Sequence, residues 1–311
     1  MPAGATDCPE PAVPSRVEGE AFYSDVQGSI VDQDKLRRDM AMIAPLRAFV
    51  TEASSRADSP DRDDRACAAR LMESWARGGA LLEAPRSFEA TRERQRFAIA
   101  LNIVALKLHA AGVDSAPLLD WLGRLNHAVI ADFDKRNQVD NLFVWSGVAA
   151  SSYALLAHDD DAARYAAMVW TQAIGLIRPD GTIASELARG RRALVYHAYE
   201  LSALLVLRAF REAAGDHANP EDIAALRRLS DRVVEALCDP ADMARAAGSP
   251  QQEPVPPTEL SPIVAFAGDL GDARIRRCGS PDIPAADPVM GGNLMRTAAL
   301  LANRSYRRAE Q

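Results

Sequence analysis

From about residue 34 onward, apolar residues recur every three to four positions in segments of ordinary helix length broken by turn residues, and strand-like alternation is scarce. Such a chain can only fold by packing helical stripes against one another. Ser115-Ala-Pro-Leu opens one helix with a serine cap and an early proline. Leu118, Leu122, Leu125, Val129 and Phe133 then make a single apolar stripe. Asn219-Pro-Glu-Asp repeats the device, with the stripe Ile223, Leu226, Leu229, Val233 and Leu237 and acidic residues in the first turn to complement the helix dipole. Arg178-Pro-Asp-Gly is a turn after the helix that carries Trp170 and Ile174. The tract 248–257, rich in proline and glutamine, reads as a solvated loop, and 279–292 as an irregular stretch before a final helix. No repeat of fixed period is visible, which argues against a regular solenoid and leaves helical hairpins wound around a centre.

With 311 residues, 48% of them apolar, the chain can bury a large core. Its net charge of −7 gives no basic excess to draw the whole molecule to nucleic acid or to an anionic membrane, so any anion site must be local. No apolar run approaches the roughly 18 to 20 residues of a membrane-spanning helix, and no membrane insertion is expected. Met1 to Pro14 lacks the basic-then-apolar layout of a signal peptide, which taken literally means a cytoplasmic protein. The opening Ala-Gly-Ala-Thr-Asp-Cys-Pro-Glu-Pro reads equally well as a mature end left after a signal was removed. Cys8, Cys67, Cys238 and Cys278 form no CxxC pair and have no histidines at ligand spacing, so zinc is not expected. Scattered buried thiols and two disulfides both remain open, and a bridge from Cys8 would hold down a proline-rich tail.

The densest polar constellation is Glu186-Leu-Ala-Arg-Gly-Arg-Arg-Ala-Leu-Val-Tyr-His-Ala-Tyr-Glu200. On a continuous helix Arg189, Arg192 and Tyr196 share one face, while His197 points about 100° away. The plain reading is an exposed basic turn followed by an interfacial aromatic. Arginines at a helix start oppose the macrodipole, however, and three within four residues call for a compensating anion such as a ligand carboxylate. A second polar turn, Asp134 to Ser146, offers Asp140 and Asn141 as natural caps or as ligand groups. Trp145 and Trp75 each read as core or as a sugar platform.

At these residues the sequence resembles the alginate lyase family, periplasmic poly(mannuronate) lyases that fold as α/α toroids. The likeness includes Cys8-Pro-Glu-Pro, Tyr23-Ser-Asp with Gly28-Ser, Cys67-Ala, Trp75-Ala, Gly79-Ala-Leu-Leu, and Asn141 with Trp145. It continues with Pro179-Asp-Gly-Thr, the whole of Glu186 to Tyr199, and Gly291-Gly, in the right order throughout. The resemblance implies an all-α fold, an α/α toroid or incomplete barrel of helical hairpins over 34–311, after an extended segment 1–33 with a candidate lid. It also implies export to the periplasm and a Cys8–Cys67 bridge, which leaves Cys238 with Cys278. The implied reaction is β-elimination on an anionic, uronate-containing polysaccharide, with no cofactor and no metal. A base removes the C5 proton beside a carboxylate whose charge must be neutralised, and an acid protonates the departing O4. Tyrosine, with an ordinary pKa of about 10, needs cationic surroundings to act as that base. By resemblance, Tyr196 is base and acid, Arg189 supports its phenolate and the substrate, Asn141 binds the carboxylate, and Arg192 assists. His197, Tyr199, Trp145 and Trp75 join as substrate-binding candidates. A monomer is expected.

Departures from the family pattern fall at the same site. Where the family motif has two asparagines and a histidine, this chain has Asp140-Asn141-Leu142, and leucine neither accepts nor donates a proton. Asp140 would add negative charge beside an anionic sugar. Val289 stands where the family has an arginine ahead of its late Gly-Gly, and Phe97, after Arg96, stands in for a tryptophan platform. Two readings follow: a lyase whose polymer differs from alginate, or a relative without catalysis that binds exopolysaccharide or a secretion-machinery partner. A hydrolase with paired carboxylates would need a second acid that no motif places.

Overall fold

The computed structural model describes residues 8–25, 30–136, 138–252 and 254–303. Twelve α-helices occur among them: α1 (Gln33–Ala57), α2 (Arg62–Gly78), α3 (Phe88–Ala110), α4 (Ala116–Asp134), α5 (Asn141–Ala157), α6 (Asp160–Ile174), α7 (Ala184–Leu187), α8 (Ala193–Ala213), α9 (Pro220–Cys238), α10 (Ala241–Ala247), α11 (Pro257–Phe266) and α12 (Leu294–Ala302). The stripes predicted from sequence are their inward faces. On α4, Leu118, Leu122, Leu125, Val129 and Phe133 are all buried, as are Leu226, Leu229 and Val233 on α9, with Ile223 and Leu237 half-buried at the ends of that stripe. Asn219 caps α9 by accepting from the Asp222 amide. Ser115 does not cap α4 as expected; its hydroxyl lies beside His109 Nδ1, and the Asp114 carboxylate takes the Ala116 amide instead.

Helices α3, α5 and α8 are buried on nearly every side and pack in that order, with α1 against α3 and α11 against α8. Outside them lie α2, α4, α6 and α9, each touching the next. Two layers of helices, the inner one apolar all round, make the α/α toroid that the family resemblance implied, built from the hairpins that the sequence pattern predicted. Close approach in the inner layer depends on Gly147 of α5, where a Cβ would sit 2.7 Å from Val169 Cγ1 of α6 and 3.2 Å from Leu207 Cδ2 of α8. The stretch Gly190–Ala213 is long and apolar enough to cross a membrane by length and composition, contrary to the sequence expectation. Burial of 72% of its most apolar window inside the protein makes it a core helix.

The irregular stretch before α12 contains a short antiparallel pair, β1 (Ala286–Asp287) with β2 (Gly292–Asn293). It packs beside α1, α11 and α12, between the first and last helices of the inner layer. Gly291, at φ 71°, is required there, since a Cβ would lie 2.5 Å from Ile103 Cγ2. Lys107 of α3 fastens the pair from below by donating to the carbonyls of Gly291 (2.7 Å) and Asn293 (3.2 Å) and to Asp58 (3.0 Å).

Both expected disulfides are present, Cys8–Cys67 and Cys238–Cys278. The first ties the extended segment 8–25 to α2, and that segment also takes the Trp75 indole N–H at the Ala12 carbonyl (2.8 Å) and the Leu81 amide at Pro14 (3.0 Å). Residues 1–7 and 26–29, which include Gly28-Ser29 and part of the candidate lid, lie outside the described residues. Because each bridge restricts the unfolded chain, replacing both Cys8 and Cys67 by serine should lower the unfolding free energy by about 2–4 kcal/mol. Urea unfolding with and without reductant checks this, and equal midpoints for the variant and the oxidised wild type would count against a stabilising latch.

Candidate active site

The first turns of α3, α5, α8 and α11 open onto one cleft of about 540 Å³, with α1 and residues 21–25 on its other side. Helix N-termini carry unsatisfied N–H groups and about half a positive charge each. Arg47, Arg92, Arg96, Arg189 and Arg192 line the same space. Asp25, Asp39, Glu89, Glu93 and Glu259 line it too, so this acidic chain gathers both signs of charge in one local cleft. The arginines are not all uncompensated. Arg92 and Arg96 both pair with Glu93 (3.0 and 3.3 Å). Burial opposes the charge of Glu93, yet those two guanidinium groups hold its carboxyl below the usual range.

The segment Glu186 to Glu200 is not one helix. It runs through α7, breaks at 188–189, makes a tight turn at Gly190–Arg192 and then enters α8. Gly190, at φ 55°, permits the break. The supposedly solvated loop at 248–252 supplies the missing cap. Gln251 accepts from the Leu194 amide (2.9 Å) and donates to the Gly190 carbonyl (3.1 Å), while the Gln252 amide donates to Arg191 O (2.7 Å). Arg189 and Arg192 therefore precede α8 and fold back over it. Their guanidinium carbons lie 4.4 and 5.2 Å from the Tyr196 ring centroid.

Tyr196, Arg189, Asn141, Arg192 and Tyr199 line the cleft together, with Leu142 beside Asn141. A smaller recess of about 80 Å³ continues from it past Arg47, Arg96 and Tyr199, and there Trp145 and Val289 are found. Trp145 is buried at that floor, its ring 5.3 Å from Tyr199. Three other expectations are corrected by burial. Trp75 stacks on Phe49 at 3.5 Å within the core and lines neither space. Phe97 is wholly buried and offers no platform. His197 is fully buried, donating from Nδ1 to Ala193 O (2.7 Å) and accepting the Ile183 amide at Nε2 (3.0 Å), so it braces the turn before α7 and does not face the cleft.

Asp140 also reads differently in three dimensions. It caps α5 through the Phe143 amide (3.0 Å) and pairs with Arg136 (2.9 Å), so its charge is offset by local partners, although it still acts on the buried Glu186 and Glu200. Glu186, fully buried, lies beside Asn141 and Arg189 and supplies a compensating anion within the chain itself. Burial, opposed chiefly by Arg189, pushes its carboxyl up to about 7.

Tyr23 is the residue that sequence reasoning missed. Carried by the N-terminal segment, its hydroxyl accepts from Arg192 Nη1 (2.8 Å) and lies 3.3 Å from that of Tyr196. The only signal was its place in a family-like fragment. Arg47 and Arg92 gave none, since a lone arginine on a helix looks like surface. Burial, and then Tyr23, raise Tyr196 above its ordinary value, and the pull of Arg189 and Arg192 does not overcome them. In the resting site Tyr196 is a neutral phenol.

Fold and cleft together define a helical toroid with a cleft, lined by five arginines and five carboxylates, at the N-terminal ends of its inner helices. The family model for alginate lyase matches residues 65–243, more than half of the chain, and the chain belongs to that family. A polysaccharide lyase of Stenotrophomonas maltophilia is 27% identical over 306 residues, covering 93% of this chain and 89% of that protein. An alginate lyase of Pseudomonas syringae pv. tomato is 29% identical over 229 residues, 70% of this chain but 59% of the relative's own length. Among solved structures, alginate lyase A1-III complexed with a tetrasaccharide superposes with a TM-score of 0.74 at 22% identity, covering 96% of this chain and 87% of that one. The A1-III crystal structure from Sphingomonas species A1 gives 0.73 at 22% identity, with 96% and 86% covered.

Two expectations come from the geometry. His197 is held near 4, chiefly by burial, against about 6.5 in an unfolded chain. Its contribution, on the order of 3 kcal/mol, is present above pH 6.5 and lost as pH falls toward 4. Glu186 runs the other way, favouring the fold at low pH, so the comparison must isolate the histidine. The gap in unfolding free energy between wild type and His197→Gln should shrink over that window, and a constant gap would contradict the neutral-imidazole brace. Separately, Tyr23→Phe should lower the pH at which Tyr196 ionises. Alkaline phenolate absorbance, taken as the difference between chains with and without Tyr196→Phe, reads this; an unmoved midpoint would mean Tyr23 does not set the state of Tyr196.

Proposed function

We propose that the protein is a polysaccharide lyase that cleaves an anionic, uronate-containing polysaccharide by β-elimination, with Tyr196 as both base and acid. The observation that carries this reading is the position of Tyr196. Its ring lies under Arg189 and Arg192 and its hydroxyl meets Tyr23, in the cleft that Asn141 also lines.

A uronate carboxylate entering the cleft would meet positive helix ends and guanidinium groups, with Asn141 lining the same space. Neutralising that carboxylate acidifies the adjacent C5–H, which is what elimination needs. Leu142 contributes nothing to this, so Asn141 and the arginines carry it alone. Tyr196 enters the cycle as the phenolate, its proton having passed to solvent water through the open cleft, and its raised pKa then makes it a strong base toward C5–H. The resulting phenol then hands a proton to the leaving O4, on the same side of the sugar. The C5–H electron pair becomes the C4–C5 double bond, the C4–O4 bond breaks with its pair leaving on O4, and the proton taken from C5 ends on that oxygen, so Tyr196 finishes as the phenolate it began as.

The same reading places the protein in the bacterial periplasm, and the two disulfides support an oxidising compartment. It also treats the protein as a monomer, with a secretion-machinery partner belonging to the version of this function that lacks catalysis.

Elimination leaves a conjugated unsaturated product that hydrolysis does not. Incubation with a panel of polyuronates should raise ultraviolet absorbance for at least one polymer, and Tyr196→Phe should abolish the rise while changing stability by less than about 1 kcal/mol, because only a hydroxyl is removed. A flat trace for wild type across the panel, with polymer still bound, would favour the binding role; full turnover by the variant would remove Tyr196 as the base.

A further inference from the structure

Asn141 lines the cleft on one side and meets a buried acid on the other. Its Nδ2 lies 3.5 Å from Glu186 Oε2, and Ser185 Oγ donates to Oε1 of the same carboxyl at 3.2 Å. Glu186 is 0% exposed and Asn141 1%. The charged and titratable groups that act on Glu186 are Asp140 from the start of α5, Glu200 from α8 and Arg189 from the turn before it. Glu200 is as buried as Asn141, and its Oε2 has no partner. Two buried carboxyls thus lie close together beside Asp140, with Arg189 acting on Glu186 and Arg136 paired to Asp140.

A carboxamide has two unlike faces: its NH₂ only donates and its oxygen only accepts. An ionised Glu186 only accepts, so it draws the NH₂ of Asn141 and turns the amide oxygen toward the cleft. A substrate carboxylate is also acceptor-only and would meet that oxygen unfavourably. A protonated Glu186 instead donates to the amide oxygen, and the NH₂ then faces the cleft, ready to bind a carboxylate. We infer that Glu186 is a proton-controlled positioning residue that decides which face Asn141 presents, so that capture of a substrate carboxylate takes up one proton at Glu186. This rests on the proposed role of the cleft as a uronate site. The position of the Glu186 carboxyl near 7, raised by burial against the pull of Arg189, puts the exchange within the range where the protein would work. Burial, then Glu186 and Asp140, push Glu200 well above the ordinary carboxyl range, so the pair does not carry two charges at once.

The test has two parts. In the ligand-free wild type, the side-chain NH₂ resonances of Asn141, assigned by their loss in Asn141→Ala, should shift between pH 5.5 and 8.5 with the same midpoint as the ¹³C-labelled Glu186 carboxyl. They should stay fixed in Glu186→Gln, a neutral stand-in for the protonated acid. An Asn141 amide that ignores the Glu186 titration would overturn the inference, and this needs no variant at Glu186 to fold. Second, tetramannuronate binding to the Tyr196→Phe protein is followed by calorimetry in two buffers of different ionisation enthalpy. Above the Glu186 midpoint, binding should take up close to one proton and weaken about tenfold per pH unit. Adding Glu186→Gln should abolish both effects, and an unchanged pH dependence in that double variant would equally defeat the proposal. If the amide switches but no member of a panel of uronate oligomers, tetramannuronate included, binds at any pH, the Glu186 device stands and the uronate reading of the cleft fails.

Discussion

The site depends on where four helices begin. Because α3, α5 and α8 are buried along their length, their backbone dipoles cannot be screened from the side, and the first turns of these helices and of α11 meet at one opening. That opening is positive before any side chain is considered. The arginines around it intensify a field that the fold already supplies, in a protein whose net charge is −7. The positive helix ends at this opening are therefore a property of the toroid, and the arginines and carboxylates that line it set the local balance of charge.

Adding cations to a positive opening is unfavourable unless acids are nearby, and the structure supplies them from within. Glu93 holds Arg92 and Arg96, Asp140 holds Arg136, and Glu186 lies against Arg189 and Asn141. These acids are buried, so each is either firmly paired or pushed toward its neutral form. Glu93, with two partners, stays charged; Glu186 and Glu200, with less compensation, are raised. The same burial that raises them also raises Tyr196, which explains why neighbouring arginines do not make a resting phenolate.

The N-terminal segment contributes more than a tail. Fixed by Cys8–Cys67 and by hydrogen bonds from Trp75 and Leu81, it delivers Tyr23 to the Arg192–Tyr196 pair. In the same way Gln251, from a loop that looks featureless, fixes the turn that aims Arg189 and Arg192. Catalytic geometry here is assembled from irregular segments pinned onto a rigid helical frame.

Helical periodicity by itself determined the all-α class and the buried stripes of α4 and α9, because a stripe of period near 3.6 has one way to be satisfied. The Glu186–Tyr199 run and Asn141, read through the family resemblance, led to the cleft, because residues that share a short segment stay close in any fold. What the sequence could not decide was direction and depth. Whether Trp75, Phe97 and His197 face a ligand or the core depends on which helix packs over them, and all three are covered. Whether Asp140 opposes an anion depends on Arg136 and the α5 amides, which offset its charge. Tyr23 and Tyr196 are 173 positions apart and meet across the fold, where the N-terminal segment lies back over the inner helices. Local pattern is written in the chain, while burial and long-range proximity, which set the protonation of Glu186 and Tyr196, arise only when the layers close.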